Sequence, residues 1–95
     1  MNPMDWFNKR NKVGMSSTGE TLTSYLHLLG STQVMDFNYY ASKSGIASPA
    51  TVHREVKWLI ENGYIKTTHI GNNLRSKYLI VTEKAKRYLG VKDNG

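Results

Sequence analysis

The sequence contains no cysteine, so it can form neither a disulfide framework nor a zinc site that depends on thiolate ligands. Two prolines and eight glycines in 95 residues are too few for a fibrous or low-complexity chain. The longest apolar runs, at positions 58–60 and 78–81, are far shorter than the roughly 18 residues that span a bilayer. Residues 1–13 contain no apolar stretch of the signal-peptide type. These absences predict a cytoplasmic protein with no membrane partner.

The residue patterns of catalytic and metal sites are also missing. The seven acidic residues are scattered, and there is no nucleophile elbow, phosphate-binding glycine loop or carboxylate pair. The three histidines, His27, His53 and His69, include no pair at i,i+4 spacing, and no nearby carboxylate completes a ligand set. We therefore expect a protein that is not an enzyme and that binds no cofactor or metal.

What the sequence does have is positive charge, with 13 Lys and Arg against seven Asp and Glu for a net charge of +6. The excess lies in residues 1–16, 48–81 and 82–95, whereas residues 17–47 are slightly acidic. Basic domains often bind polyanions, because Lys and Arg displace the counterions of phosphate. Many small proteins are basic for solubility alone, so the charge favours a nucleic-acid partner without identifying one.

The length is that of one domain with one hydrophobic core. We predict a flexible basic N-terminal arm over residues 1–16, a folded domain over residues 17–89 and a C-terminal tail over residues 90–95. Trp6 and Phe7 in the arm are expected to pack on the domain or on a second subunit.

The first two predicted helices follow the apolar spacing and the capping residues. Ser17 and Glu20 have the spacing of a capping box, an apolar helix follows, and Gly30 ends it. After a short extended stretch over residues 33–35, Asp36 is the predicted N-cap of a second helix that reaches about Ser44. Its inward residues are expected to be Phe37, Tyr40 and Ala41.

A third helix is predicted after the turn at residues 45–47, with Ser48 as its N-cap and Pro49 in its first position. Its buried stripe is Val52, Val56, Leu59 and Ile60. Past the stop at residues 62–63, residues 64–70 and 77–81 are β-rich and flank a turn. Thr82 then caps a last helix, whose inward residues are Ala85, Tyr88 and Leu89. The predicted fold is mainly α with a small β-hairpin, a winged helix-turn-helix in the order α-β-α-α-β-β-α.

The third helix carries the polar face that most favours a function. A wheel at 100° per residue places Ala50, Thr51, Arg54, Lys57 and Trp58 opposite the apolar stripe, with His53 at the border. Ala50 and Thr51 suit base edges, and Arg54 suits guanine O6 and N7. Lys57 is expected to contact a phosphate, and Ser48 with the free N–H groups at the helix start can hold another. His53 is expected to touch DNA or to cap the edge of the core, and Lys43 is a further predicted DNA-binding residue. An ordinary amphipathic helix with a solvated face has the same pattern.

The predicted wing, residues 71–77 with the sequence GNNLRSK, adds a second basic element. Arg75 suits the negative potential of a narrow minor groove, and Asn73, Ser76 and Lys77 suit the DNA backbone. A solvated hairpin tip would have a similar composition. The helix and the hairpin together favour binding of double-stranded DNA. Trp58 is expected to donate to a phosphate, to pack beneath the wing or to lie in a dimer contact.

Residues 48–65, SPATVHREVKWLIENGYI, resemble the MarR-like group of winged helix regulators. In that group the recognition helix runs into a leucine, polar residues, a glycine and an apolar pair. The passage from strand to helix at residues 78–85, YLIVTEKA, is also similar, and the resemblance covers roughly residues 17–89. It implies a homodimeric repressor on an inverted-repeat site, with the third helix in the major groove and Arg75 in the minor groove.

The long flanking helices that dimerise MarR-like proteins and help to form their ligand pocket are absent or very short here. We therefore expect no small-molecule effector, and dimerisation would need the arm, the first helix or the final helix. A compact phage or plasmid regulator would agree with the lack of these flanking helices. The alternatives are a plasmid or phage partition or replication protein that binds DNA, and a winged helix used for protein contact. The last predicts an apolar or acidic face on the third helix.

Overall fold

The computed structural model describes residues 14–69 and 77–90 of the chain. The elements follow one another in the predicted order, which confirms the expected mainly helical winged helix architecture. They are α1 (Ser17–Leu29), β1 (Thr32–Gln33), α2 (Val34–Lys43), α3 (Pro49–Glu61), β2 (Ile65–Thr68), β3 (Tyr78–Val81) and α4 (Glu83–Leu89). Within these ranges no helix is both long enough and apolar enough to cross a bilayer.

The described strands form one antiparallel sheet in the order β1-β3-β2. Strand β3 is central, and Tyr78 pairs with Gln33 of β1 on one side and with Thr68 of β2 on the other. The sequence predicts only the β2–β3 hairpin as a paired unit. The added pairing with β1 attaches the base of the wing to the segment between α1 and α2.

The core lies where α1, α2 and α3 meet the inner side of the sheet. Phe37 of α2 is fully buried, and its ring centroid is 5.9 Å from that of Tyr25 of α1. Because apolar burial is the main favourable term in folding, this cluster holds the three helices at fixed angles. Its other fully buried large side chains are Leu22, Leu26, Val52, Leu59, Ile65 and Leu79.

Helix α1 begins with a different cap from the predicted Ser17. Ser16 is the N-cap, and its Oγ accepts a hydrogen bond from the Gly19 backbone N–H at 3.0 Å. Either of two adjacent serines can cap a helix, and long-range contacts decide between them. Met15 is buried in the core, and the Ser16 hydroxyl also donates to Glu55 Oε2 of α3 at 3.2 Å.

Helix α2 begins at Val34 rather than after Asp36, so the predicted N-cap is wrong. The Val34 N–H donates to the Lys77 carbonyl oxygen at 3.2 Å, which carries the β1–β3 pairing into the first residue of the helix. The chain therefore passes from strand to helix without an intervening loop. Asp36 instead lies in the first turn, where a carboxylate interacts favourably with the helix dipole.

Two of the residues expected to face the core are largely exposed. Phe37 and Ala41 are buried as predicted, but Tyr40 is 47% exposed, because α2 covers only a narrow stripe of the core. Tyr88 of α4 is 36% exposed, and its ring lies edge-on to Tyr64 and covers Gly14. Both tyrosines are therefore surface residues with one covered face.

Candidate nucleic-acid interface

Helix α3 is held by its apolar stripe and presents the opposite side to solvent. Ser48 caps it as predicted, with Oγ accepting from the Thr51 backbone N–H at 3.3 Å, and Pro49 occupies the first position. Val52, Val56 and Leu59 are buried as predicted, whereas Ile60 is half-buried against the core. The cap and the buried stripe together fix which side chains of the helix face outward.

The outward face is formed by four side chains: Ala50, His53, Arg54 and Lys57. His53, predicted to lie at the border of the core, is exposed beside the two cations. Within residues 14–69 and 77–90, neither Arg54 nor Lys57 forms an ion pair or a side-chain hydrogen bond. The small side chain of Ala50 leaves space next to Arg54, so a binding partner can approach α3 closely. The face therefore combines unpaired positive charge with little steric obstruction.

The two carboxylates of α3 differ in their position relative to this face. Glu55 is half-buried and accepts the hydroxyl hydrogen bond of Ser16, at the N-terminus of α1. A carboxylate at a helix N-terminus is favoured by the helix dipole. Glu61 is the last residue of α3, at the opposite end from Ala50. Because Glu61 lies one helical turn beyond Lys57, it reduces the positive potential at the C-terminal end of the face. Ala50, His53 and Arg54 have no acid one turn away on α3.

Thr51 and Ser48 form a hydroxyl pair at the start of the helix. The Ser48 hydroxyl donates to Thr51 Oγ1 at 3.0 Å, and Thr51 is half-buried. The Thr51 oxygen thus already accepts one hydrogen bond, and its own hydroxyl proton remains for an external acceptor. Its place is at the edge of the outward face rather than at the centre.

The wheel predicts that Trp58 faces solvent, but its side chain packs against the protein. It is half-buried, and its ring stacks on Tyr64 with centroids 5.9 Å apart and planes 15° from parallel. Tyr64 lies just before β2, so this stack joins the C-terminal half of α3 to the start of that strand.

The remaining predicted contacts are divided between the described residues and those outside them. Lys43, the last residue of α2, is exposed near the start of α3, with its Nζ 5.7 Å from the Tyr39 ring centroid. Lys77 is exposed at the start of β3. Asn73, Arg75 and Ser76 of the predicted wing, like Trp6 and Phe7 of the arm, lie outside the described residues.

One functional feature was missed by the sequence argument. Lys84 of α4 is not a free surface cation, because its Nζ donates to the Asn62 carbonyl oxygen at 2.7 Å and lies 4.6 Å from the Tyr64 ring centroid. It therefore holds the C-terminal end of α3. The contact joins residues 22 positions apart, and no local pattern signals it.

The described residues contain no group of three or more His, Asp or Glu side chains that could hold a metal ion. The exposed basic side chains of this region are Lys43 at the end of α2 and Arg54 and Lys57 on α3. These side chains can donate hydrogen bonds and present positive charge to a large anion.

Comparison with solved structures finds the same architecture in bacterial regulators. The chain is similar to the adhesin competence repressor AdcR of Streptococcus pyogenes, with a TM-score of 0.61 and 21% identity, over 88% of this chain and 59% of that one. It is also similar to ZitR, a zinc-responsive MarR family member of Lactococcus lactis, with a TM-score of 0.60 and 26% identity, over 81% and 50% of the two chains. PadR of Bacillus subtilis, solved in complex with operator DNA, gives a TM-score of 0.58 and 23% identity, over 81% and 46%.

This chain therefore spans about half the length of these solved relatives. No protein-family model matches the sequence, and no curated protein matches it. The neighbours are regulators rather than enzymes. Together with the element order, the central strand β3 and the protruding α3, they show that the chain has a MarR-like winged helix-turn-helix fold.

Proposed function

We propose that this protein is a transcriptional regulator that binds double-stranded DNA with sequence specificity and acts in the cytoplasm as a homodimeric repressor. The observation that carries the proposal is the outward face of α3, where Arg54 and Lys57 are exposed and unpaired within the described ranges. Specific recognition needs side chains at base edges, held by a rigid helix. The buried stripe and the Ser48 cap supply that rigidity.

The roles of the outward face follow from side-chain chemistry. Arg54, near the N-terminal half of α3, is suited to bidentate hydrogen bonding with guanine, and Ala50 to contact with a thymine methyl. Lys57, one turn further along, is suited to a phosphate. His53 and the Ser48 end of the helix add donors at the margins. PadR, which has a similar fold, is solved in complex with operator DNA, and this supports DNA as the partner proposed here.

The wing and the dimer complete the proposal. Strand β3 pairs with both β1 and β2, and Arg75 of the wing that precedes it is proposed to enter the adjacent minor groove while Asn73, Ser76 and Lys77 contact the backbone. A homodimer would place two α3 helices in successive major grooves, which predicts an inverted-repeat site. Recognition in this form needs no small-molecule effector and no cofactor.

The test is selection of duplexes by the purified full chain from a random-sequence pool, at about 50 mM and about 200 mM salt. We expect an inverted repeat to be enriched and the affinity to fall steeply with salt, since phosphate contacts release counterions. The same selection with Arg54→Ala is expected to lose preference at one position of each half-site. Arg87→Ala, which removes an exposed cation from α4, is the matched control and should select the same repeat.

The outcomes separate the proposal from its rivals. Enrichment of a single half-site would retain DNA binding and contradict the homodimer. Retention of all duplexes equally would contradict sequence specificity and favour a DNA-organising role. Failure to retain any duplex at the lower salt concentration would overturn the proposal in favour of a winged helix that contacts protein.

A further inference from the structure

An open hollow lies beside the start of α3, on the side of α2. It has a volume of about 450 Å³ and is lined by Asn38, Tyr39, Ser42, Lys43 and Pro49. Pro49 is the first residue of α3, so the hollow adjoins the N-terminal end of the outward face. None of its lining residues is acidic, and the acid of α2, Asp36, lies in the first turn of that helix.

Two hydrogen-bond donors lie at this hollow without a strong partner. Tyr39 is 58% exposed, and its hydroxyl has no hydrogen-bond partner in the part of the chain that the structure describes. Lys43 follows one helical turn later, and its Nζ is 5.7 Å from the Tyr39 ring centroid. Ser42 is different, because its hydroxyl already donates to the Asn38 carbonyl oxygen at 2.8 Å. The exposed donors are therefore one phenol and one ammonium group, and Asn38 adds a buried Oδ1 that has no hydrogen-bond partner among the described residues.

The exposure of Tyr39 makes its phenol accessible. The side chain is 58% exposed, so its hydroxyl can reach a group outside the protein. The residue lies where the first helix of a helix-turn-helix crosses the DNA backbone in complexes of this architecture. A phenol there offers a neutral donor to a phosphate oxygen, and the neighbouring ammonium group offers charge.

We infer that Tyr39 and Lys43 bind one DNA phosphate together, beside the major groove that receives α3. The inference rests on the proposed function and adds to it a contact surface on α2 that positions the protein without reading sequence. Charge complementarity identifies a polyanion as the occupant. Lys43 is positive and no lining residue is acidic, so the hollow attracts a phosphate more strongly than a protein surface that has few acidic residues. Pro49 forms the wall that joins this phosphate site to the outward face.

The experiment measures equilibrium binding of the full chain to two labelled duplexes, one of random sequence and one recovered by selection, across a series of salt concentrations. Tyr39→Phe removes only the hydroxyl group, and Lys43→Gln removes only the charge. Tyr40→Phe is the matched aromatic control, since Tyr40 is the exposed neighbour that does not line the hollow. Arg87→Gln on α4, which packs on α1, is the matched charge control.

We expect Tyr39→Phe to weaken both duplexes by the same factor, about 2- to 10-fold, with the salt dependence unchanged. Lys43→Gln should reduce the slope of log affinity against log salt by about one. Ethylation of the phosphates, one at a time, should reveal a phosphate in each half-site whose modification hinders the unsubstituted protein but not Tyr39→Phe. Both controls should bind like the unsubstituted protein.

The failure of this inference is distinguishable from that of the proposed function. If Tyr39→Phe and Lys43→Gln bind both duplexes normally while Arg54→Ala weakens the selected one, the phosphate site is wrong and DNA recognition stands. If Tyr39→Phe changes the sedimentation of the protein without changing DNA affinity, the hollow is a protein contact and the inference is again wrong. If the unsubstituted protein binds no duplex, the proposed function falls as well.

Discussion

Lys84 of α4 donates a hydrogen bond from Nζ to the carbonyl oxygen of Asn62, 2.7 Å away, at the C-terminal end of α3. The last carbonyls of a helix have no intrahelical partner and carry the negative end of its dipole, so a cation there is stabilising. Next to it, the Thr82 hydroxyl donates to the Gly63 carbonyl oxygen at 2.7 Å. Helix α3 is thus fixed at this end by the first turn of α4.

Replacement of Lys84 by Met is expected to lower the free energy of unfolding by about 1 kcal/mol, because an exposed hydrogen bond to a charged group is lost while the aliphatic stem remains. Equilibrium urea unfolding measures the change. Lys57→Met is the control, since Lys57 is an exposed lysine of α3 without a partner in the described ranges, and it should alter stability by less than about 0.5 kcal/mol. Equal effects of the two substitutions would show that the contact with Asn62 contributes nothing.

Arg54→Ala is expected to cost about 1–3 kcal/mol of binding free energy on the selected duplex. The loss should be much smaller on random-sequence DNA, because a base-reading side chain contributes mainly where its base is present. Fluorescence anisotropy with both duplexes gives the ratio. An equal loss on the two would identify Arg54 as a phosphate contact instead.

Phe37→Ala and Tyr40→Ala should differ sharply although the residues are three apart on α2. Phe37 is fully buried, so its truncation is expected to cost about 3–5 kcal/mol, a large part of the stability of a domain of this size. Tyr40 is 47% exposed, so its truncation should cost about 1 kcal/mol or less. Chemical denaturation of both variants makes the comparison, and similar losses would mean that Tyr40 faces the core after all.

Gly14→Ala tests how Tyr88 of α4 packs against Gly14, which lies just before α1. Gly14 has φ of +99°, and a Cβ there would lie 2.5 Å from Cε2 of Tyr88. Gly45 has φ of +82° with nothing within 4 Å of its Cβ position, so Gly45→Ala isolates the backbone strain, about 1 kcal/mol. Gly14→Ala should lose more than that in a thermal melt, since the Tyr88 ring must also move. Equal losses would show that the ring yields freely.

The sequence alone predicts those parts of the fold that depend on local chemistry. The Ser48 cap with Pro49, the stop at Gly63 and the Thr82 cap each depend on neighbours within a few residues, and each agrees with the structure. The buried stripe of α3 follows from helical periodicity in the same way. The order of elements needs little beyond such local signals.

Other features depend on contacts between distant segments, and the sequence does not reveal them. Ser16 rather than Ser17 caps α1, because Met15 is buried and Glu55 accepts the Ser16 hydroxyl. The start of α2 at Val34 follows from its hydrogen bond to Lys77. The wheel treats a helix as a free cylinder, so it could not detect the partner that covers Trp58.

The central position of β3 has a consequence for how the molecule unfolds. Gln33 and Tyr78 are paired although they lie 45 positions apart in the chain, so β3 cannot leave the sheet without also breaking its pairing with β1. Leu79, fully buried in that strand, ties its release to disruption of the core. Backbone amides of β3 and of α2 should therefore exchange with solvent through one shared opening event, and the domain should melt as a single cooperative unit.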